Sequence, residues 1–558
     1  MRLHCCNTGY LLALSALTAF GQARDYGRSM VITQQGMAAT SQTLASQAGA
    51  QILAKGGSAV DAAIAANAVL GVVEPMMDGI GGDLFVIYWD AKSGKLTGLN
   101  ASGPAPRGLS AEFLTRQGFQ SMPEGIHSVT VPGAIDGWAK MHERFGKLPW
   151  KDLFQAAIAY AEEGFPVTED AQRYWAGSAA SLRAHSANQP ETARVYLPGG
   201  RAPRVGDVFK NPEMGRALRI LAENGRDAFY KGEIAAAILK TSKSLGGTMT
   251  AEDLSTFSAE WAEPISSEYR GWRVYELPPN SQGIAALEML NIMETLPAGK
   301  SGPYTSDELH RRIEAMKLAY SDLRYNGDPR FADIPVRGLL SKDYARKRAA
   351  AIDPAKANCT VAAGAPVFGE TTYLTTVDKD GNIASWIQSL YDYFGSGVTV
   401  EGLGFLLHDR GQNFTLARGS ANVLAGGKRP SHTIIPGFME KGDQHIGFGI
   451  MGGSNQAMAH AQFVSNVVDY GMNVQQAMEA ARFRKNGAPG CDVRIEGRVP
   501  ATAIQGLKER GHQVQVIREY DSAVTGRGQA ILYNSTTKTK FGASDPRADG
   551  SAVPEPIR

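Results

Sequence analysis

The chain has 558 residues, and its 57 Lys and Arg against 55 Asp and Glu leave a net charge of +2 with no block of one sign. That balance offers no electrostatic footprint for nucleic acid, so a small neutral or mildly charged substrate is the better fit. With 43% hydrophobic residues the chain can bury a large core, and its length alone suggests roughly two to four domains.

Arg2 and the free amine precede an apolar run from Tyr10 to Phe20, and Gly21-Gln22-Ala23 then supplies the small-x-small pattern of a signal-peptidase site. Residues 1–23 are therefore read as a signal peptide, and an exported protein, periplasmic or secreted, is expected to begin near Arg24; an uncleaved membrane anchor is the rival reading. The run is far short of the about 20 residues that span a bilayer, and no later segment is long enough either, so no transmembrane segment is expected. Cys5 and Cys6 stand before the apolar run and are not placed as a lipid-attachment site.

Leu44 to Lys55 reads as a helix closed by Gly56-Gly57. Ser58, with Asp61 three residues on, resembles an acidic capping box that opens a second helix through Leu70. Glu74-Pro75 leads into Asp78-Gly79-Ile80-Gly81-Gly82-Asp83 and a strand from Leu84 to Trp89. Helices are predicted at Trp150 to Glu163, Pro212 to Glu223, Gly283 to Glu294 and Ser306 to Leu323, with no internal repeat.

Pro354 through Glu370 is rich in Ala, Gly, Pro and Val and reads as a flexible linker. Immediately after it, Thr371-Thr372-Tyr373-Leu374-Thr375-Thr376-Val377 has the β-branched and aromatic content of a strand, and Lys379-Asp380-Gly381-Asn382 turns it into a second strand from Ile383 to Ser389. A threonine at the head of a strand behind a soft linker suggests a self-cleavage junction. If the bond between Glu370 and Thr371 breaks, Thr371 gains an α-amine that titrates at about 7.7 to 8.0 and can take the proton of its own hydroxyl. The plainer reading is a Thr-rich strand and nothing more.

A third strand, from Ile446, runs into Gly452-Gly453 and a helix to about Val468. Two consecutive glycines let backbone N–H groups approach a reacting atom, as in an oxyanion hole. The same stretch spells G-x-G-x-x-G from Gly447 to Gly452, with Asp469 further on. Asp469 falls at a helix end and not at the tip of a second strand, so the dinucleotide reading lacks its βαβ context. Cys359 and Cys491, the two cysteines past the signal, either pair or are buried small hydrophobes. No HExxH or CxxC cluster exists, and neither metal nor cofactor is expected.

Gly36-Met37-Ala38-Ala39, Gly56-Gly57-Ser58-Ala59-Val60-Asp61, Val73-Glu74-Pro75, Gly79-Ile80-Gly81-Gly82, Val131-Pro132-Gly133, Leu277-Pro278-Pro279, Gly327-Asp328-Pro329, Thr371-Thr372, Phe394-Gly395-Ser396-Gly397, Lys428-Arg429-Pro430, Gly452-Gly453 and Gly542-Ala543-Ser544-Asp545-Pro546-Arg547 together resemble the γ-glutamyltransferase (glutathione hydrolase) family, in order and across nearly the whole chain. The resemblance implies an α+β fold, a four-layer αββα sandwich of the N-terminal-nucleophile type. It also implies a proenzyme cut into a large subunit (24–370) and a small one (371–558) that stay together as a heterodimer. Members take the γ-glutamyl group from glutathione or related amides and pass it through an acyl-enzyme to water or an amino acid. By position Thr371 matches the nucleophile, Gly452 and Gly453 the oxyanion hole, and Ser389 a second hydroxyl beside the nucleophile.

The match breaks in the substrate pocket. The strand that carries the family's carboxylate-clamping Arg corresponds to Leu99-Asn100-Ala101-Ser102, which has none; two helping serines correspond to His432-Thr433. The ammonium-binding Asp aligns with Asn413, a Gln near it with Arg410, and an Asn with Tyr391. Charge-assisted contacts are not replaced by neutral ones. The alternative to a γ-glutamyl substrate is therefore a dicarboxylic monoamide without the α-amine, as in the acylase and oxamate-amidohydrolase branch that Lys428-Arg429-Pro430-Ser431-His432-Thr433 resembles, with Arg410 as a new carboxylate clamp. A non-catalytic binding homologue and a nicotinamide oxidoreductase are the readings from other classes.

Overall fold

A computed structural model describes residues 26–186, 189–361 and 370–557. The expected signal peptide and the linker from 362 to 369 lie outside the described residues.

Alternation along the strands sets the layers. In Asp83–Asp90, Leu84, Val86 and Tyr88 pack with helical residues, while Phe85, Ile87 and Trp89 pack with Phe438, Ile531 and Tyr533 of another sheet. A strand buried on both faces needs apolar residues at nearly every position. Two antiparallel sheets of seven strands each meet across this second set of residues. The first runs Ser551–Pro554, Met37–Thr40, Glu370–Val377, Ile383–Tyr391, Asp83–Asp90, Lys95–Ala101, Glu260–Ala262. The second runs Val31–Thr33, Thr539–Ser544, Gly528–Asn534, Gln444–Ile450, Gly437–Lys441, Trp272–Glu276, Ile265–Tyr269. The strand Glu370–Val377 touches Gly528–Asn534 and Gln444–Ile450 across the gap between the sheets. Helices Thr43–Ala54, Ala59–Val73 and Ala134–Phe145 lie against the first sheet, and Gly283–Glu294, Asn455–Tyr470 and Val474–Glu479 against the second.

Local chemistry explains these elements. In the helix Ala59–Val73 every residue is buried, and Ser58 and Asp61 close the expected capping box: Ser58 Oγ accepts from Asp61 N at 3.1 Å and Asp61 Oδ2 from Ser58 N at 2.9 Å. The expected hairpin closes with Asp378 N donating to Asn382 O, and Gly381 takes the left-handed φ of 96° that its turn needs. The segment from Trp150 is a 3₁₀ turn through Phe154 and becomes an α-helix only over Gln155–Glu163. The helix from Pro212 continues past Glu223 to Tyr230 across a kink at Gly225.

Strands from both sides of the Glu370–Thr371 bond interleave in both sheets, so 370 is not a boundary between separately packed units. Cys359 and Cys491 form a disulfide. Beside it, Ala357 N donates to Arg510 O and Asn358 N to a Glu314 carboxylate oxygen, so the upstream part of the expected flexible linker is tied down. Among the described residues no helix is long and apolar enough to cross a membrane.

The G-x-G-x-x-G stretch finds its use in packing. The strand Gln444–Ile450 has antiparallel neighbours on both sides, which excludes the parallel βαβ unit, and Asp469 pairs with Arg270 in the last turn of the helix. A Cβ on Gly449 would stand 2.4 Å from the Tyr373 ring, and one on Gly447 2.7 Å from Thr375 Oγ1. The glycines thus let the second sheet close onto the strand that begins at Glu370. Gly449→Ala should lower stability by about 1–3 kcal/mol through overpacking; an unchanged unfolding midpoint in urea would contradict this account of the sheet contact.

Candidate active site

Thr371 is fully buried near the start of its strand. Glu370 pairs with Tyr391 and Thr372 with Gln388, so Ser389 and Leu390 together stand opposite the single residue Thr371. Such a bulge re-aims side chains locally. Past it, Tyr391 takes φ 79°, a conformation that costs a non-glycine residue about 1 kcal/mol or more, and its N–H donates to Ser389 Oγ at 2.8 Å. Thr371 Oγ1 donates towards Ser389 Oγ at 3.4 Å and accepts from Gln456 Nε2 at 3.2 Å; Gln456 Oε1 in turn accepts from Ile435 N at 3.1 Å. Thr372, facing the other way, donates to Glu74 Oε2 at 3.3 Å, where Ser41 Oγ also donates.

Gly452 and Gly453 lie between the strand Gln444–Ile450 and the helix Asn455–Tyr470, at φ 130° and 59°. Their carbonyls accept from Asn455 N and Gln456 N, and Gly453 O also accepts from Gln282 Nε2 at 2.9 Å. Neither glycine N–H has an acceptor among the described residues. The helix that starts two residues later carries Gln456, so one turn of backbone positions both the free donors and the group that holds the Thr371 hydroxyl.

The next strand over holds a buried ionic cluster. Asp83 is the register partner of Ser389. Its carboxylate accepts from Arg410 Nε at 2.7 Å and Nη2 at 3.1 Å, and from His432 Nε2 at 2.7 Å; His408 Nδ1 lies 3.4 Å away. Burial alone would push the Asp83 carboxyl up, but Arg410 and the two histidines hold it well below the usual carboxylate range. Burial and the Arg410 charge push the His432 imidazole down to about 4, so it is neutral, donating from Nε2 to Asp83 and accepting from Ile434 N at Nδ1.

The structure therefore brings most of the expected pocket residues together, in a different arrangement from the one the sequence suggests. Arg410 is not a surface residue: it is fully buried, with its third donor on Thr433 Oγ1 at 2.8 Å and its face 4.6 Å from the Tyr391 ring. Asn413 is 8% exposed, and neither its Nδ2 nor its Oδ1 has a hydrogen-bond partner. Ser102 is enclosed by Asn100 and Asn280, donating to Asn100 Oδ1 at 2.7 Å and accepting from Asn280 Nδ2 at 3.2 Å. Sequence reasoning missed Asp83, Gln456, Gln282 and His408. Only Asp83, a carboxylate ending a glycine turn before an apolar strand, carried any signal.

One further cluster stands outside this network. His310, Glu314 and His512 are buried with ligand-capable atoms close together. Hydrogen bonds occupy most of their polar atoms: His310 Nε2 donates to Asp353 O at 2.8 Å, its Nδ1 accepts from His512 Nε2 at 2.8 Å, and Lys317 Nζ pairs with Glu314 Oε1 at 2.6 Å, while His512 Nδ1 has no partner among the described residues.

Known proteins resemble the chain along nearly its whole length. The family model described as gamma-glutamyltranspeptidase matches residues 45–555. The glutathione hydrolase-like YwrD proenzyme of Bacillus subtilis is 38% identical over 94% of this chain and 99% of its own length. The oxamate amidohydrolase proenzyme of Klebsiella pneumoniae is 32% identical over 94% and 99%. Among solved structures, a cephalosporin acylase from Bacillus halodurans superimposes with a TM-score of 0.89 at 42% identity, over 95% of this chain and 98% of that one.

The His432 imidazole titrates at about 4 in the fold and near its ordinary value of 6.5 once unfolded. The unfolded chain thus binds a proton that the native state refuses, and the stability His432 contributes is complete above pH 6.5 and fades as the pH falls towards 4. The unfolding midpoints of the native chain and His432→Asn should be furthest apart above pH 6.5 and converge on acidification. A gap independent of pH would refute the neutral assignment.

Proposed function

Because the chain belongs to the γ-glutamyltranspeptidase family, we propose that it is a proenzyme that severs its own Glu370–Thr371 bond and then works as an N-terminal-threonine amide hydrolase and acyltransferase. The observation that carries this is the Thr371 hydroxyl, held between Ser389 Oγ and Gln456 Nε2 in a site that also contains two free glycine N–H groups. Two sheets flanked by helices on both outer sides agree with the four-layer αββα arrangement of an N-terminal-nucleophile hydrolase.

In the precursor, Thr371 Oγ1 attacks the Glu370 carbonyl carbon. The peptide C–N bond breaks as the nitrogen takes the hydroxyl proton, and water hydrolyses the resulting ester to a Glu370 carboxylate and a free Thr371. In turnover the new α-amine, near pKa 8 by its ordinary value of about 7.7–8.0, accepts the hydroxyl proton as Oγ1 attacks the substrate amide. The Gly452 and Gly453 N–H groups take the developing oxyanion, a role in which one donor is worth about 2.7–4 kcal/mol. Collapse returns the proton to the departing amine and leaves an acyl ester, which passes to water or to an amine acceptor.

Relatives of the chain bear the names glutathione hydrolase, oxamate amidohydrolase and acylase, so γ-glutamyl amides such as glutathione are one substrate class and acyl amides without an α-amine are the other. Asn413 in place of a carboxylate, and no Arg in Leu99-Asn100-Ala101-Ser102, favour the second. The Cys359–Cys491 disulfide fits an oxidising compartment and hence the export that residues 1–23 suggest.

Expressed full chain should resolve into two fragments under reducing conditions, the smaller beginning at Thr371, and Thr371→Ala should remain a single inert chain near 59.7 kDa or slightly less. Cleavage at any other bond, or turnover by Thr371→Ala, would end this reading, and an uncut native chain would favour a binding homologue. Gln456→Leu, which removes the donor to Thr371 Oγ1, should slow cleavage and turnover by about 3–10-fold, the worth of one hydrogen bond; unchanged rates would remove Gln456 from the site.

A further inference from the structure

We propose that Asp83 sets the charge class of the acyl group: by pairing with Arg410 it takes the guanidinium charge out of the acyl pocket, so that the enzyme prefers amides of electrically neutral acyl groups over those bearing a carboxylate or an ammonium. The proposal rests on the amide-hydrolase reading above and names its substrate class.

Asp83 is the register partner of Ser389, which stands opposite Thr371 in the bulge, so the carboxylate originates two strands from the nucleophile at the same level of the sheet. Arg410 is linked to the oxyanion turn from the other side: its Nη1 donates to Thr433 Oγ1, and Gln282 Nε2 bridges Thr433 O at 2.6 Å and Gly453 O at 2.9 Å. The pair is therefore tied on one side to the strand opposite Thr371 and on the other, through Thr433 and Gln282, to the glycine turn.

Chemistry follows. A guanidinium recognises a carboxylate best through a two-point fork, and the Nε/Nη2 fork of Arg410 is already filled by Asp83, with Tyr391 over its face and no surface exposed. With Asp83 ionised, His432 neutral and Arg410 charged, the cluster sums to no net charge. Asp392 and Asp409, the other carboxyls near the guanidinium, are both held up by burial, with the repulsion between them adding to the rise of Asp409. A substrate carboxylate could win Arg410 only by displacing Asp83 and leaving it buried without its partner, which is strongly unfavourable. In the same 3₁₀ turn as Arg410, the neutral amide of Asn413 is left unpaired, with one acceptor and two donor hydrogens free.

The test compares pentanoyl, glutaryl and γ-glutamyl p-nitroanilides on the processed enzyme, three five-carbon acyl groups that carry respectively no charged group, a terminal carboxylate, and a carboxylate with an α-ammonium. The native enzyme should favour pentanoyl over both others by about 10-fold or more in kcat/KM, and Asp83→Asn, which frees the Arg410 fork, should shift the glutaryl-to-pentanoyl ratio towards glutaryl by about 10-fold. A purely structural role for Asp83 would lower all three rates together and leave the ratio alone. If Asp83→Asn stays uncut, the native ratios decide, together with Asp83→Asn/Arg410→Gln, which removes both charges and should keep the pentanoyl preference. A native preference for glutaryl or γ-glutamyl, or a processed Asp83→Asn with the native ratio, overturns the proposal. No turnover of any of the three by an enzyme cut at Thr371 would instead overturn the amide-hydrolase reading on which it rests.

Discussion

A hydroxyl placed on a central strand, with a sheet on one side and helices on the other, sits where water cannot serve its neighbours. Every polar group around it then needs a partner from the protein, because a buried donor or acceptor left alone costs about 1–3 kcal/mol. The surroundings of Thr371 follow from that constraint. Ser389 and Gln456 take the two sides of its hydroxyl, Gln456 is itself fixed by Ile435, and Gln282 ties Thr433 to Gly453. Exceptions remain among the described residues: the N–H groups of Gly452 and Gly453 and the amide of Asn413 have no partner, and neither do Asn455 Oδ1 and Thr375 Oγ1.

The same constraint governs charge. Asp83 and Arg410 could not be buried separately, since each alone would be driven towards its neutral form or out of the core. Together, with His432 as a neutral donor, they form a unit whose members depend on one another. Arg410 and His432, read one at a time from the sequence, look like substrate contacts; as a set with Asp83 they are mainly each other's contacts.

Much of the chemistry was legible in the chain because it rests on local rules. The Ser58–Asp61 capping box, the Asp380-Gly381 turn, the helix Gly283–Glu294 and the glycine pair after the strand at Ile446 are each dictated by residues within a few positions. What was not legible is long-range pairing. The bulge that sets two residues against Thr371 depends on how strands far apart in sequence align, and nothing in Gly81-Gly82-Asp83 announces a partner at Arg410. The G-x-G of Gly447 and Gly449 illustrates the same limit: its sequence imitates phosphate binding, and only the facing Tyr373 and Thr375 reveal a steric role. The pairing of Cys359 with Cys491 could not be told from two separate buried thiols for the same reason.

That cystine also bears on what a broken backbone would look like. Cys359 lies upstream of the Glu370–Thr371 bond and Cys491 downstream of it. A molecule nicked between them keeps a sulfur tether across the nick, so its two pieces travel as one covalent body until a reductant parts them.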